Sequence, residues 1–305
     1  LLVIACPCAL VIATPVTVVS GLARAARRGI LIKGGVYLED ARKLKVIALD
    51  KTGTITEGKP KLVATEILDQ TVSEKVILEW AGSLAALSNH PVSKAISTAL
   101  APAATVVDDF MSLPGRGVQG RIGNQDLILG NHRLIEERKL CGPAIEARLV
   151  EHEAQGRTMT LLANESGVLA IFAVADTIKP HAREAISTLH ALGVKAVMLS
   201  GDNQATAQAV AAQANVDDAR GNLLPDDKLK AIEALQKEFG PTAMTGDGIN
   251  DAPALARADI GIAMGAAGTD TAMEAADIVI MNDDLRRIPE AIQLSRTTYR
   301  VLWQN

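Results

Sequence analysis

Seven consecutive residues combine a carboxylate with hydroxyl side chains and glycine in a pattern suited to phosphoryl chemistry. They are Asp50-Lys51-Thr52-Gly53-Thr54-Ile55-Thr56, and they follow the apolar run Val46-Ile47-Ala48-Leu49. The run predicts a buried strand that fixes the Asp50 carboxylate at its carboxyl end, beside a loop whose N–H and hydroxyl groups can hold a phosphoryl group. The alternative is a solvated aspartate that begins an ordinary turn. A motif of seven residues rarely arises by accident, which argues against that alternative.

Strand and helix patterns alternate through the second half of the chain. Strands are predicted at 168–174, 196–199, 242–245, 260–264 and 278–281, and helices near 180–192, 203–214, 226–238 and 251–257. This alternation predicts a doubly wound parallel sheet with ligands at the carboxyl ends of its strands. Ser200-Gly201-Asp202 and Gly246-Asp247-Gly248-Ile249-Asn250-Asp251 follow two of these strands. A single Gly-Asp pair is a common turn, so each pair carries weight only in combination with Asp50.

The interval 58–165 interrupts this pattern and predicts a domain inserted into the parallel-sheet domain. Two segments of this interval are candidate ligand-binding motifs: Leu87-Ser88-Asn89-His90-Pro91 and Pro114-Gly115-Arg116-Gly117-Val118-Gln119-Gly120. A histidine before proline often simply starts a helix. The glycines by themselves are a weak dinucleotide signal, because no parallel strand-to-helix unit surrounds them.

The first 23 residues contain no charged side chain, and Arg24, Arg27, Arg28 and Lys33 follow them. A helix of that length spans about 35 Å, which predicts a transmembrane segment followed by cytoplasmic chain. The alternative is a buried helix of a soluble core. Cys6-Pro7-Cys8 lies inside this run, where proline unwinds a helix and thiolates suit Cu(I), Zn(II) or Cd(II). Two cysteines in a helix can also be mere packing residues.

Composition limits the remaining classes of function. The 305 residues carry a net charge of -4, and two Trp, two Tyr and three Phe offer no stacking platform for bases. Nucleic acid is therefore not an expected partner. Three cysteines are an odd number and suit a reducing compartment rather than a disulfide framework. Cys141 lies far from the other two, matches no motif and is assigned no function.

The motif beginning at Asp50 resembles the phosphorylation motif of the P-type cation-transporting ATPases, whose catalytic core belongs to the haloacid dehalogenase group. The resemblance implies that Asp50 accepts the γ-phosphate of ATP, and that Asp50, Asp247 and the Thr52 carbonyl hold Mg²⁺. It also implies the other catalytic roles. Ser200, Gly201 and Asn250 donate to the phosphoryl oxygens, Asp251 orients the water shell of Mg²⁺, Lys228 neutralises the phosphoryl group, and Lys51 and Asp202 complete the set.

Cys6-Pro7-Cys8 resembles the ion-binding helix of the heavy-metal class of this family, so Cys6 and Cys8 are expected to bind the transported metal. The resemblance assigns nucleotide binding to residues within and shortly after the interval 58–165: Ser88, His90, Pro91, Gly115, Gly117 and Asp176. The predicted fold is α/β: a haloacid-dehalogenase-like doubly wound parallel sheet with an inserted α+β nucleotide-binding domain, preceded by a transmembrane helix. The predicted segments are the metal-binding helix 1–23, the linker helix and first part of the phosphorylation domain 24–57, the nucleotide-binding domain 58–165, the second part of the phosphorylation domain 166–284, and a helix 285–305 leading to a further membrane segment.

The function implied is ATP-driven export of Zn²⁺, Cd²⁺ or Pb²⁺ across a plasma (inner) membrane, with cytoplasmic catalytic domains. Residues 29–39 resemble the divalent-metal group more closely than the copper group. Cys-Pro-Cys occurs in both groups, so a Cu⁺/Ag⁺ pump is an alternative. The expected partners are ATP, Mg²⁺, the heavy-metal cation, membrane lipid, and the actuator domain and other membrane helices of the same pump. A soluble haloacid-dehalogenase phosphatase and a non-enzymatic metal-binding membrane protein are alternatives of other classes.

Overall fold

The computed structural model describes residues 8–102, 105–265 and 270–304, with the side chains of 8–13 and 249 left out. The strands are β1 (Ile30–Ile32), β2 (Val46–Asp50), β3 (Lys61–Ile67), β4 (Asp108–Leu113), β5 (Gly117–Ile122), β6 (Gln125–Gly130), β7 (Thr158–Asn164), β8 (Gly167–Ala175), β9 (Lys195–Leu199), β10 (Asp218–Arg220), β11 (Thr242–Gly246), β12 (Ile260–Met264) and β13 (Ile278–Ile280). The helices are α1 (Cys8–Ala26), α2 (Gly35–Asp40), α3 (Glu74–Ala86), α4 (Pro91–Leu100), α5 (His132–Glu137), α6 (Pro143–Glu153), α7 (Ala182–Ala191), α8 (Gln204–Ala214), α9 (Pro225–Phe239), α10 (Ala252–Arg257), α11 (Asp270–Ala275) and α12 (Arg287–Gln304).

The chain forms two compact units. The first contains the chain up to Gly58 and from Ile178 onward, and the second contains Lys59–Thr177. The first unit has a seven-stranded sheet in the order β1-β13-β12-β11-β2-β9-β10, parallel except for the edge strand β1. Strand β2 is the fifth in this order and lies between β11 and β9, so it is a central strand rather than an edge strand. The predicted doubly wound sheet is observed.

The register of β2 shows how this sheet is covered on both faces. Ile47 and Leu49 belong to one buried cluster, which includes residues of α7, α8 and α12. Val46 and Ala48 belong to another, with residues of α9, α10 and α11. Successive side chains of a strand point to opposite faces, so both faces of the central strand are buried and the strand reads as a continuous apolar run.

The second unit has a six-stranded antiparallel sheet in the order β3-β8-β7-β6-β5-β4. One hydrophobic cluster packs α3 and α4 against the sheet and contains Leu162 and Phe172. A second cluster packs α5 and α6 and contains the neighbouring residues Leu161 and Ala173. The unit is therefore an α+β domain whose central strands are buried on both faces.

The boundary of the inserted unit differs from the sequence prediction. The strand predicted at 168–174 for the parallel sheet is β8, which pairs antiparallel with β3 and β7. The inserted unit accordingly ends at Thr177 rather than at residue 165. The physical reason is that helices cover both faces of the antiparallel sheet, so β8 carries the unbroken apolar pattern usual for a central parallel strand.

The predicted membrane segment lies only partly in the described residues. Cys6 and Pro7 fall outside them, and Cys8 is the first residue of α1. Towards its carboxyl end α1 packs on the parallel-sheet unit, because Gly21 lies against Leu38 and Thr298 and Ala25 is buried. Within the described ranges, no helix combines the length and the apolar character needed to cross a membrane.

Candidate active site

Three neighbouring parallel strands bring the predicted chemistry to one edge of the sheet. Strand β2 ends at Asp50, β9 ends one residue before Ser200, and β11 ends one residue before Asp247. The carboxyl ends of parallel strands meet at the same edge, where such sheets bind ligands. Residues separated by up to 197 positions in the sequence thus converge because the strands that carry them are adjacent.

The loop after Asp50 turns tightly and leaves room for a carboxylate. Gly53 has φ +71°, and a Cβ added there would lie 1.7 Å from Oδ2 of Asp247. Thr56 closes the turn, because its N–H and its hydroxyl donate to the carbonyl of Lys51 at 2.9 and 3.0 Å. Glycine at position 53 is therefore required both by the backbone conformation and by the close approach of Asp247.

Lys228, in the first turn of α9, connects two carboxylates of the site. Its Nζ donates to Oδ1 of Asp50 at 2.5 Å and to Oδ1 of Asp251 at 2.8 Å. All three residues are buried. Carboxylate oxygens of Asp50, Asp247 and Asp251 lie within 4.8 Å of one another. The site therefore groups three carboxylates, two of which contact the same lysine.

The electrostatics of the carboxylates follow from this crowding. The pKa of Asp50 is raised to about 6, chiefly by burial; the charge of Asp251 adds to the rise, and Lys228 opposes it. Burial, together with the charges of Asp50 and Asp251, raises the pKa of Asp247 to about 7. Burial alone would lower the pKa of Lys228, but the two carboxylates that it contacts outweigh burial and raise it. The site has an excess of negative charge that a further cation would relieve.

The donor set fits a hard divalent cation. Magnesium prefers oxygen ligands and is typically held by one or two carboxylates together with substrate phosphate groups. Asp50 and Asp247 offer such oxygens, and Asp247 makes no ion pair with a lysine or arginine among the described residues. Asp251 is engaged by Lys228 and accepts from the N–H of Gly248 at 3.4 Å. Lys228 engages one oxygen of Asp50 in the same way, so Asp247 is, among the described residues, the one of the three carboxylates without a lysine contact, and the choice of Asp50 and Asp247 as the direct ligands remains a prediction.

The Ser200 loop supports the Asp50 loop from the β9 side. The hydroxyl of Ser200 accepts a hydrogen bond from the N–H of Asp202 at 3.1 Å. The carboxylate of Asp202 forms an ion pair with Lys51. Ser200 and Lys51 are buried, whereas Gly201 is exposed. Lys51 therefore ties the loop that follows Asp50 to the loop that follows β9.

Sequence reasoning missed Lys179. Its Nζ donates to the carbonyl of Gly53 at 2.5 Å and to Oδ1 of Asp283 at 2.7 Å. Its charge also lowers the pKa of Asp247, against the effect of burial. Lys179 belongs to the strand-to-helix junction 176–180 that was predicted from the sequence. A basic side chain at such a junction was the feature from which its role could have been predicted.

Two predicted contacts remain predictions. Asn250 lies in the short turn Ile249–Asp251 and is exposed, so its position is compatible with contact to an incoming phosphoryl group. Thr52 is half-buried, with the extended backbone angles φ -76° and ψ 130°. Its carbonyl belongs to the loop that directly follows Asp50, which is compatible with the role implied by resemblance.

The predicted nucleotide residues Ser88, His90 and Pro91 lie at the start of α4. His90 is the N-cap of this helix, since its Nδ1 accepts from the N–H of Val92 at 3.4 Å, and Pro91 is the first helical residue. Ser88 accepts from the N–H of His90 at 3.2 Å. His90 thus starts a helix, as the alternative interpretation held, and it is also exposed to solvent. Contact of His90 with adenine remains a prediction.

The glycine loop connects β4 to β5 in the same unit. Gly115 has φ +69°, and a Cβ added there would meet no atom within 4 Å. Gly117 has φ +150°, and its Cβ would lie 2.3 Å from the carbonyl oxygen of Leu129. Gly117 is therefore explained by strand packing, and Gly115 by an open, left-handed turn. Asp176 accepts from the N–H of Lys59 at 3.1 Å and joins the two ends of the inserted unit.

A parallel sheet with an aspartate at the end of its central strand, a lysine beside it and further aspartates after the next strand defines a class of phosphoryl-transfer enzyme. Residues 44–259 match the family of haloacid dehalogenase-like hydrolases. The chain belongs to that family.

Comparison with individual proteins narrows the class. The chain is 42% identical over 312 residues to a probable cadmium-transporting ATPase of Alkalihalophilus pseudofirmus, covering 100% of the chain and 43% of the relative. It is 42% identical over 313 residues to the copper-exporting P-type ATPase of Bacillus subtilis, covering 100% and 38%. A crystal structure of a zinc-transporting PIB-type ATPase in its E2·Pi state matches with a TM-score of 0.74 and 40% identity, covering 98% of this chain and 49% of the other.

These matches and the observed sheets confirm the resemblance to heavy-metal P-type ATPases and the predicted haloacid-dehalogenase-like α/β fold with an inserted α+β unit. The chain spans less than half the length of the curated relatives that it matches.

Proposed function

We propose that this chain supplies the phosphorylation and nucleotide-binding domains of an ATP-driven heavy-metal exporter, with Asp50 as the residue that is phosphorylated. One observation carries the proposal: Asp50 ends the central strand of the parallel sheet, accepts a hydrogen bond from Lys228 and lies beside Asp247. Relatives that match the whole chain are cadmium-transporting and copper-exporting ATPases, which supports metal export as the purpose of the phosphoryl transfer.

The chemistry requires a carboxylate nucleophile held in line with a phosphoryl group. An oxygen of Asp50 attacks the γ-phosphorus of ATP, the bond to the β–γ bridging oxygen breaks, and ADP leaves with the electron pair of that bond. Lys228 offsets negative charge on the phosphoryl oxygens. Magnesium, held by Asp50, Asp247 and the carbonyl of Thr52, would supply charge neutralisation. Water then hydrolyses the aspartyl phosphate and restores the carboxylate.

In this proposal the inserted unit provides the surface that binds ATP. The exposed His90 at the amino end of α4 is available to stack against adenine, while Gly115 allows close approach of the backbone to the nucleotide. The positive end of the α4 dipole also favours an anionic ligand near Ser88. Binding of ATP by this unit delivers the nucleotide whose γ-phosphate Asp50 receives.

The transported cation is proposed to be Zn²⁺, Cd²⁺ or Pb²⁺, with Cys6 and Cys8 as soft ligands. A cadmium-transporting relative and a zinc-transporting structure support the divalent group. A copper-exporting relative has the same sequence identity to this chain, 42%, as a cadmium-transporting relative. An experiment must therefore distinguish Cu⁺ from the divalent cations. In this proposal the pump lies in a plasma (inner) membrane, and its catalytic domains work in the cytoplasm with an actuator domain and further membrane helices.

The test is labelling of the protein with γ-³²P-ATP and Mg²⁺, in membranes that contain the whole pump. Acid-stable label is expected to rise with Zn²⁺ or Cd²⁺ and to disappear in Asp50→Asn and in the double variant Cys6→Ala/Cys8→Ala. The matched control Asp226→Asn changes an exposed carboxylate of α9 and should label normally.

Each outcome of this experiment decides between the candidate functions. Stimulation by Cu⁺ alone would assign the pump to the copper class and leave Asp50 in its role. Label that is independent of metal would remove Cys6 and Cys8 from transport. Hydrolysis of small phosphate esters without labelling from ATP would instead favour a haloacid-dehalogenase phosphatase, and a complete lack of labelling would favour a non-enzymatic protein.

A further inference from the structure

The inserted unit contains a second cluster of metal-ligating side chains, separate from the aspartates of the parallel-sheet unit. His132 begins α5, Cys141 lies between α5 and α6, and Glu146 lies in the first turn of α6. The Nε2 atom of His132 is 3.0 Å from Oε1 of Glu146. The Sγ atom of Cys141 is 3.2 Å from the same oxygen and 3.4 Å from Nε2 of His132. The three ligand atoms are therefore close enough to one another to bind the same ion.

We infer that His132, Cys141 and Glu146 form a binding site for a single Zn²⁺ or Cd²⁺ ion in the inserted unit. The donor set is one imidazole nitrogen, one sulfur and one carboxylate oxygen. Zinc takes all three ligand types, and a soft thiolate selects against magnesium and calcium. This site uses neither Cys6 and Cys8 nor Asp50.

The separations are close to those that a tetrahedral ion requires. Zinc bonds of about 2.3 Å to sulfur and about 2.1 Å to nitrogen and oxygen place tetrahedral ligand atoms about 3.4–3.6 Å apart. The three observed separations are 3.0, 3.2 and 3.4 Å. Each atom therefore has to move outward by only a few tenths of an ångström, which small rotations of these half-buried side chains can provide.

The surroundings allow an ion to enter and complete its coordination. The side chains of His132 and Glu146 are 27% and 42% exposed, so the cluster opens to solvent. Glu136 approaches His132 to 3.9 Å and is a candidate for the fourth position, which water can also fill. On binding, the thiol of Cys141 releases its proton to solvent as the metal–sulfur bond forms, so one proton leaves for each ion bound.

The three ligands are held by a compact local scaffold rather than by long flexible segments. Cys141 and Ile145 pack on the hydrophobic cluster beneath α5 and α6. The start of α5 is fixed because Oδ1 of Asn131 accepts from the N–H of Leu134 at 3.1 Å. The same asparagine donates through Nδ2 to the carbonyl of Gly115 at 3.0 Å. An ion bound at His132 would therefore brace the helix start that supports the glycine loop.

A simpler interpretation is that the cluster is an ion pair of His132 and Glu146 with a neighbouring half-buried thiol. The two interpretations differ in whether the thiolate of Cys141 is needed to bind an ion. His181 and Glu184 form a comparable histidine–carboxylate pair at 3.4 Å, without a cysteine. This pair provides a matched control, because loss of His181 should not change binding by a site that needs a thiolate.

The experiment uses the full chain with Cys6→Ser and Cys8→Ser, which leaves Cys141 as its one remaining cysteine. Cadmium titration is followed by the ultraviolet charge-transfer absorption of the cadmium–thiolate bond, and zinc titration by calorimetry. Alkylation of Cys141 with and without Zn²⁺ gives an independent readout. Cys141→Ser, His132→Gln and Glu146→Gln are compared with His181→Gln, and circular dichroism checks that each variant is folded.

We expect one ion per chain, a thiolate band that is absent in Cys141→Ser, and slower alkylation in the presence of Zn²⁺. Loss of a residue that only supports a metal ligand weakens binding by about 10–100-fold. Loss of a ligand itself, in His132→Gln or Glu146→Gln, should weaken binding at least as much, with no change in His181→Gln. A missing thiolate band, or binding by His132→Gln and Glu146→Gln as tight as that of the parent, would overturn the inference.

Discussion

Replacing Lys228 with alanine removes the cation that separates two buried carboxylates. The lysine donates to Asp50 at 2.5 Å and to Asp251 at 2.8 Å, and its side chain is only 9% exposed. No other lysine or arginine among the described residues forms an ion pair with either carboxylate. The variant Lys228→Ala therefore leaves two negative charges in a poorly solvated site.

The expected loss of stability is large near neutral pH. Breaking a buried ion pair by removing one partner costs about 3–5 kcal/mol, because the remaining charge stays desolvated and unpaired. The matched control is Lys230→Ala in the same helix, whose side chain is 73% exposed and pairs with Asp227. Surface substitutions of that kind change stability by about 0.5 kcal/mol or less.

The loss should depend on pH in a direction that the carboxylates dictate. Because the pKa of Asp50 is raised to about 6, the folded protein binds more protons than the unfolded chain below that pH, and stability falls as pH rises through this window. Lys228 lowers this pKa, so its removal raises the pKa further and steepens the fall. Each pKa unit by which Lys228 lowers the pKa of Asp50 is worth about 1.4 kcal/mol. The loss should therefore be smaller at about pH 5, where Asp50 takes up a proton, than near neutral pH.

The assay is urea unfolding in metal-free buffer at both pH values, followed by hydrogen exchange of the peptide that carries β2. Exchange in β2 reports on the parallel-sheet unit, whose central strand ends at Asp50. Similar losses for Lys228→Ala and Lys230→Ala would refute the reasoning. A loss in Lys228→Ala that grows as pH falls would also refute it, because the sign follows directly from proton uptake by the carboxylates.

Further predictions concern the site loop and the inserted unit. In Gly53→Ala, the new Cβ meets Asp247 at 1.7 Å and the φ of +71° becomes strained. Half-maximal labelling from ATP should therefore require an Mg²⁺ concentration at least about 10-fold higher than in the parent. An unchanged Mg²⁺ titration would contradict this account of the loop. In Lys179→Met, loss of a charge that lowers the pKa of Asp247 should move the acid limb of labelling to higher pH, and a pH profile like that of the parent would count against this role. Glu66, whose pKa is lowered chiefly by its hydrogen bond with His152, stabilises the inserted unit above about pH 4.5. The difference in thermal stability between the parent and Glu66→Gln should therefore vanish as pH falls through the lowered pKa of Glu66, and a constant difference would contradict the assignment.

The sequence predicted the position and type of most secondary structure in the parallel-sheet unit. Strands predicted at 196–199, 242–245 and 260–264 are observed as β9, β11 and β12, because apolar runs bounded by Gly and Asp are distinctive. The assignment of β8 to the parallel sheet was wrong. A strand buried on both faces has the same pattern in a parallel and in an antiparallel sheet, so the sequence could not distinguish its partners.

The sequence by itself determined which functional groups the site contains, because Asp50 and the motif that follows it put a carboxylate and a glycine-containing loop at a strand end. Tertiary structure alone decided which charges surround it. Lys228 and Asp251 lie 23 residues apart, yet they meet at Asp50 because α9 and the loop after β11 pack beside β2. The same holds for Lys179, whose contact with Gly53 spans 126 residues. Local residue types fix what a site can do, whereas the pairing order of the strands fixes which distant charges meet there, and that order depends on packing across the whole sheet.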